Sequence, residues 1–186
     1  MSIQRKFKGK SLDIFPDSFV CVDIETTGLS PERDDIIEVS AVRVCGGRIC
    51  AEFSHIINIG RPLPPFIRSL TGISDDMIRR GNSAAEVLSA FLSFAGDDIL
   101  LGHNVNFDIN FLYDNCLSQL DEILDNDFVD TLKIARRLFG TRSGNRLDDL
   151  MRRFGIDERT KHRALDDVRL TVECYFKMRE AAECRL

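Results

Sequence analysis

Apolar positions along this chain follow two rhythms, and the change from one to the other organises it. Phe19–Ile24 is a short apolar run of the kind that forms a buried strand. Asp35–Val44 and Arg48–Asn58 are two β-rich runs joined by Gly46-Gly47, which predicts a hairpin. A stretch carrying Gly60, Pro62, Pro64, Pro65 and Gly72 then predicts a loop with short helical turns. From Ser83 the period lengthens. Ser83-Ala-Ala-Glu86 is a capping box, Val87, Leu88, Phe91, Leu92 and Ala95 share one helical face, and Gly96 stops the helix. Beyond it strands and helices alternate: Asp98–Gly102 and Phe128–Val129 as strands, and Asn106–Leu117, Thr131–Phe139, Leu147–Phe154 and Ala164–Ala182 as helices. Three antiparallel strands followed by strand–helix units predict a mixed α/β sheet with helices on both faces.

Composition narrows this little. The 186 residues fit one domain, and 44% apolar with 30% charged residues is the balance of an ordinary globular protein. Residues 1–18, with Arg5, Lys6, Lys8 and Lys10, read as a flexible basic arm ahead of a domain at 19–183. No secretory leader and no apolar run near the roughly 20 residues of a membrane span are present, so no membrane partner is expected and the location reads as cytoplasmic. The six cysteines form no Cys-x-x-Cys pair. A two-residue turn at Gly46-Gly47 sets Cys45 opposite Arg48 and Cys50 opposite Arg43, which predicts reduced thiols and no zinc site. The net charge of −5 hides a division: Gly81–Leu132 has ten acids and no Lys or Arg, whereas Arg136–Arg163 has nine basic and four acidic residues. Acids that hold cations and bases that meet phosphate can lie side by side, so overall charge decides nothing.

Three segments carry chemistry. In Asp23-Ile-Glu25 the two carboxylates are two residues apart at the end of a strand, so they project to one side. Crowded carboxylates are relieved by a cation or a shared proton. Thr26-Thr-Gly28, directly after them, offers amides and hydroxyls for a sugar–phosphate end. In Gly102-His-Asn-Val-Asn-Phe-Asp108 an apolar strand ends at Gly, and Asp108 follows in the first turn of a helix. Ligands gather at the carboxyl ends of strands in α/β sheets, so Asp108 can reach Asp23 and Glu25. His103 beside Asn104 reads as a hydrogen-bonding brace. In His162-Arg-Ala-Leu-Asp166-Asp167 the histidine is the side chain suited to taking a proton from water, and either acid one turn later could share a metal.

Together, Asp23-x-Glu25-Thr-Thr-Gly-Leu29, His103-Asn-x-x-Phe107-Asp108 and His162-x-Ala-x-x-Asp167 resemble the three motifs of the DEDDh 3′–5′ exonucleases. That group includes the proofreading epsilon subunit of bacterial DNA polymerase III and the exonuclease domain of the Gram-positive replicative polymerase. The resemblance runs from about Phe19 to Tyr175, with Leu70-Thr-Gly-Ile73, Asp130-Thr-Leu132 and Leu147-Asp-Asp-Leu150 also in place. It implies an RNase H-like mixed sheet of five strands, three antiparallel and then two parallel. It selects Asp167 over Asp166, because the family's last acid comes five residues after the histidine. It also implies two Mg²⁺ or Mn²⁺ ions on Asp23, Glu25, Asp108 and Asp167, with His162 as the base. Thr26 would read the 3′-hydroxyl, Leu29 and Phe107 would pack on the terminal bases, and Asn104 would position the strand. The implied reaction hydrolyses single-stranded or frayed 3′ ends, DNA before RNA, to nucleoside 5′-monophosphates, in proofreading or repair and with a DNA polymerase subunit as a partner. The alternatives are an exoribonuclease and a non-catalytic module that grips strand ends.

Overall fold

The computed structural model describes residues 5–140, 144–156 and 164–184. Strands β1 (Ser11–Leu12), β2 (Phe19–Thr26), β3 (Ile36–Cys45), β4 (Arg48–Ile56), β5 (Leu100–Gly102) and β6 (Phe128–Asp130) form one sheet in the order β1-β6-β5-β2-β3-β4. The helices are α1 (Pro65–Thr71), α2 (Asp75–Arg80), α3 (Ala84–Ala95), α4 (Asn106–Leu120), α5 (Thr131–Phe139), α6 (Leu147–Phe154) and α7 (Ala164–Glu183). As the sequence predicts, β2, β3 and β4 are antiparallel neighbours, while β5 joins β2 and β6 joins β5 in parallel. No helix among the described residues is long and apolar enough to cross a membrane.

Alternation along β2 sorts the core into two layers. Val20, Val22 and Ile24 face a cluster built with α3 and α4 that includes Val87, Leu88, Phe91, Ile109 and Phe111. Phe19 and Cys21 face the opposite layer, where Leu150 and Met151 of α6 and Val168, Cys174 and Tyr175 of α7 pack. Side chains two apart in a strand share a face, so Asp23 and Glu25 continue the row that begins with Phe19 and Cys21. They therefore lie on the side of α7. A smaller cluster of Ile37, Leu63, Ile67, Ile73 and Ile78 seats α1 and α2, the short helical turns expected of the Pro/Gly-rich stretch.

Local chemistry fixes the element ends that matter. The Ser83 hydroxyl accepts from the Glu86 amide, and the Glu86 carboxylate accepts from the Ser83 amide at 2.9 Å, which closes the capping box of α3. Asp130 ends β6 and caps α5, its Oδ1 accepting from the Leu132 amide at 3.0 Å.

Two expectations are corrected. The sheet has six strands, because β1 pairs with the outer edge of β6, Ser11 opposite Phe128 and Leu12 opposite Val129. A pair of residues is too short to show alternation, so only the free backbone edge of β6 reveals where it belongs. The segment read as a loose arm makes further contacts there. Arg5 donates to both carboxylate oxygens of the buried Asp114 at 2.8 and 2.5 Å, and Lys8 donates to Asn106 and Asn110 at 2.7 and 2.9 Å. The second correction concerns the hairpin. Cys45 and Cys50 form a disulfide, with Cα atoms 6.0 Å apart. Cys45 does lie opposite Arg48, but the register shifts between Arg43 and Val44, leaving Cys50 as the extra residue of a bulge. That bulge draws the diagonal pair together, which an unbroken ladder would hold apart. The other described cysteines, Cys21, Cys116, Cys174 and Cys184, are free.

Candidate active site

Asp23, Glu25 and Asp167 meet at the open end of β2. Each offers a carboxylate oxygen, and these oxygens all lie within 4.8 Å of one another. Strand alternation presents the first two, and the first turn of α7, packed on β2, presents the third. The contact is fixed just below by Cys21, whose thiol lies 3.7 Å from the carbonyl of Val168. Asp108 comes from the opposite layer, on the first turn of α4, and it is not part of the 4.8 Å group. It is buried, and its Oδ1 accepts from the Ile24 amide at 3.1 Å, between the two β2 acids in sequence. All four acids singled out in the sequence are thus brought to one strand end, three with oxygens within 4.8 Å of one another and one beside them.

Such crowding has an electrostatic signature. Burial, followed by the charges of Asp108, Glu25, Asp167 and Glu38, pushes the Asp23 carboxyl well above the ordinary carboxylate range. Asp108 is pushed up to about 8, chiefly by burial, against the lowering effect of its own amide and that of Ile24. Glu38 was not singled out in the sequence. It is fully buried opposite Glu25 in the β2–β3 ladder and accepts from Ser54 at 3.3 Å. An acid inside the apolar run Ile36-Ile-Glu-Val39 was the signal that could have found it.

The corner between β5 and α4 holds the next group. Gly102 is required there, since a Cβ would come within 2.8 Å of the Val22 carbonyl. Asn104 has φ 61°, and its amide donates to Asp130 Oδ1 at 3.0 Å. The same oxygen caps α5, so Asp130 ties the corner to the helix, a brace that the Asp-Thr start of α5 could have suggested. The hydroxyl of Thr131 donates to the Gly102 carbonyl at 3.2 Å and therefore accepts from His103 Nδ1 at 2.9 Å. Burial is the main effect on His103 and lowers its pKa, in keeping with a neutral brace. Phe107 is half-buried, its ring 4.9 Å from that of Phe111, and Asn104 is exposed.

On the other side, Thr26 donates to the Gly28 carbonyl at 2.6 Å, closing the turn that carries Leu29. Leu29 is 84% exposed, which no packing role explains. His162 lies outside the described residues, as does Arg142, the first residue of the Arg142-Ser-Gly-Asn-Arg146 stretch before α6.

Residues 20–175 match the RNase_T family, described as exonuclease. The chain belongs to this exonuclease family. Its relatives include the PolC-type DNA polymerase III of Latilactobacillus sakei, 39% identical over 166 residues, which cover 89% of this chain and 12% of that protein. They also include the DNA polymerase III epsilon subunit of Aquifex aeolicus, 36% identical over 168 residues, 90% of this chain and 83% of the relative. The exonuclease thus spans about 12% of the length of the PolC-type polymerases it matches. Among solved structures, the nuclease domain of 3′hExo, a DEDDh family member bound to rAMP, superposes with a TM-score of 0.75 at 23% identity, covering 91% of this chain and 94% of that one. That likeness establishes the shared fold.

Proposed function

We propose that this exonuclease is a metal-dependent 3′–5′ enzyme that removes nucleotides from free 3′ ends of DNA and releases nucleoside 5′-monophosphates. The observation that carries this reading is the meeting of Asp23, Glu25 and Asp167 within 4.8 Å, with Asp108 beside them. Like charges held so close need a positive partner or protons, and carboxylate oxygens are hard donors suited to Mg²⁺ or Mn²⁺. The residues therefore fit a divalent-metal centre. Asp23, Glu25, Asp108 and Asp167 would hold two such ions, which when bound supply an acidified water and a counter-charge for the phosphate oxygens.

The remaining roles fall to the chain's own groups. His162 lies two residues ahead of the start of α7 and is our candidate for the base that takes the proton from the attacking water. The turn at Thr26 offers backbone groups to the terminal 3′-hydroxyl. Leu29, exposed beside that turn, and Phe107, half-exposed at the opposite corner, offer apolar surfaces to the last bases. Stacking of this kind ignores sequence, as removal of any nucleotide requires. Asn104, exposed on its corner, would position the strand. The site takes single-stranded or frayed ends in this reading, since the last bases must be unpaired to meet those surfaces.

The relatives named as DNA polymerase III components favour DNA, a task in proofreading or repair, a polymerase partner and a cytoplasmic setting. The rAMP-bound structural neighbour supports the alternative of RNA 3′ ends. The test is a time course on 5′-labelled single-stranded DNA and matched RNA with Mg²⁺, with EDTA, and with Asp167→Asn and His162→Ala proteins. A ladder shrinking from the 3′ end is expected, abolished by EDTA and by Asp167→Asn and slowed about 10²–10⁴-fold by His162→Ala. Binding of 3′ ends without any cleavage would leave the non-catalytic module in its place.

A further inference from the structure

A cavity of about 800 Å³ opens at the Asn104 corner, lined by His103, Asn104, Arg136, Arg146, Asp148 and Arg152 among others. Its cations come from two helices and the residue before one of them: Arg136 from α5, Arg146 just ahead of α6, and Arg152 from α6. Their commitments differ. Asp149 accepts from the Arg146 amide at 3.1 Å and from the Arg152 guanidinium at 2.6 Å, so its charge is already used within α6. Among the described residues, neither Arg136 nor Arg146 joins an ion pair within 4.0 Å through its side chain, although the Arg146 charge also acts on Asp149 and the exposed Asp148 shares the lining. Two exposed guanidinium groups therefore face a shared cavity in a chain whose net charge is −5.

We propose that this cavity is a backbone-phosphate subsite for the strand whose 3′ end lies at the carboxylate cluster, with Arg136 and Arg146 as its anion ligands. The proposal rests on the exonuclease reading for its substrate and adds the course of the strand. Asn104 is the link: it stands on the short connection between β5 and α4, which leads directly to Asp108, and it also forms one wall of the cavity. A strand leaving the carboxylates past Asn104 meets the cavity next. The planar guanidinium fork suits phosphate oxygens. The acidic cluster repels the strand it must cleave, so attraction placed one step along the backbone holds the strand without charge compensation at the reacting bond.

The test is fluorescence anisotropy with a labelled 12-nucleotide DNA strand carrying non-hydrolysable 3′-terminal linkages, at several salt concentrations and with Mg²⁺ present. Wild type is compared with the Arg136→Gln/Arg146→Gln protein and with Arg48→Gln, which removes a charge at the exposed tip of the β3–β4 hairpin. For the double variant Kd should rise about 10-fold. The salt slope should fall by about 0.7, the increment of one phosphate contact on a single strand. Thymidine 5′-monophosphate, which has one phosphate and no backbone linkage beyond it, should bind all three proteins equally. Wild-type affinity and slope in the double variant would overturn the subsite, as would an equal loss with Arg48→Gln. Equal weakening of the mononucleotide would also overturn it, by showing that the cavity serves free nucleotide. If wild type degrades no strand while the double variant still weakens 12-mer binding, the subsite stands and the exonuclease reading falls. If wild type degrades DNA and the double variant binds normally, the reverse holds.

Discussion

Asp23 lies beside Asp108, Glu25 and Asp167, all of its own sign, and burial together with those charges pushes its carboxyl well above the ordinary range. Arrangements of this kind sacrifice stability for a binding site, so removing one charge should strengthen the fold while destroying the function. Asp23→Asn is expected to melt several degrees above wild type in EDTA, where about 1 kcal/mol moves a domain of this size by roughly 2–4 °C. Adding Mg²⁺ should raise the wild-type melting temperature by preferential binding to the folded site and leave the variant nearly unchanged. A melt in which Mg²⁺ shifts both proteins equally would remove the carboxylate cluster from metal binding. At Gly102 the expectation is opposite in sign. A Cβ there meets the Val22 carbonyl, so Gly102→Ala should lose about 1–3 kcal/mol in urea unfolding and also slow cleavage, because the corner presenting Asn104 and Asp108 must shift.

Among the elements, α3 offers a clean test because it packs on α4 but contributes nothing to the candidate site. Ser83→Ala removes one half of the capping box and should lower stability by about 1 kcal/mol with cleavage unaltered. The pH dependence follows from Glu86, whose carboxyl is held below the usual range first by the Ser83 hydroxyl and then by the Ser83 amide. A carboxylate with a lowered folded pKa contributes stability above its unfolded pKa and loses it as pH falls through the folded value. The difference between wild type and Ser83→Ala should therefore shrink as pH is taken below the ordinary glutamate range. A difference that grows in acid would contradict the cap. Strands and helices were largely legible at this scale: the predicted ends of β2, β3, α5 and α6 agree with those found to within a few residues. β1 was not, because two residues carry no period, and neither was the bulge at Cys50, because a shift of one residue leaves no trace in composition.

For the whole molecule, the N-terminal segment closes the sheet edge and ties it to α4. Arg5 supplies the charge partner of Asp114, which is only 3% exposed. Arg5→Ala should cost about 1–3 kcal/mol, below the figure for a fully buried pair because Arg5 itself keeps some exposure. Truncation before Phe19 should cost more, since it also strips β1 from β6, and melting of the two proteins would rank the effects. By itself the sequence determined the alternation of strand and helix, because burial periodicity is written in the order of residues, while the choice of four candidate acids came from the resemblance of its motifs to a known family. It also determined that Asp23 and Glu25 share a side of their strand, since that follows from the two-residue repeat alone. Tertiary structure decided which helix meets them there. The order of the sheet puts α7 on the face of Asp23 and Glu25 and α4 on the other, so Asp167 enters the close group while Asp108 reaches it through the Ile24 amide. It likewise decided that Arg136 and Arg146 share a cavity with Asn104. Residues far apart in the chain become neighbours only when the sheet fixes where each connection returns, and no local pattern of side chains encodes that distance.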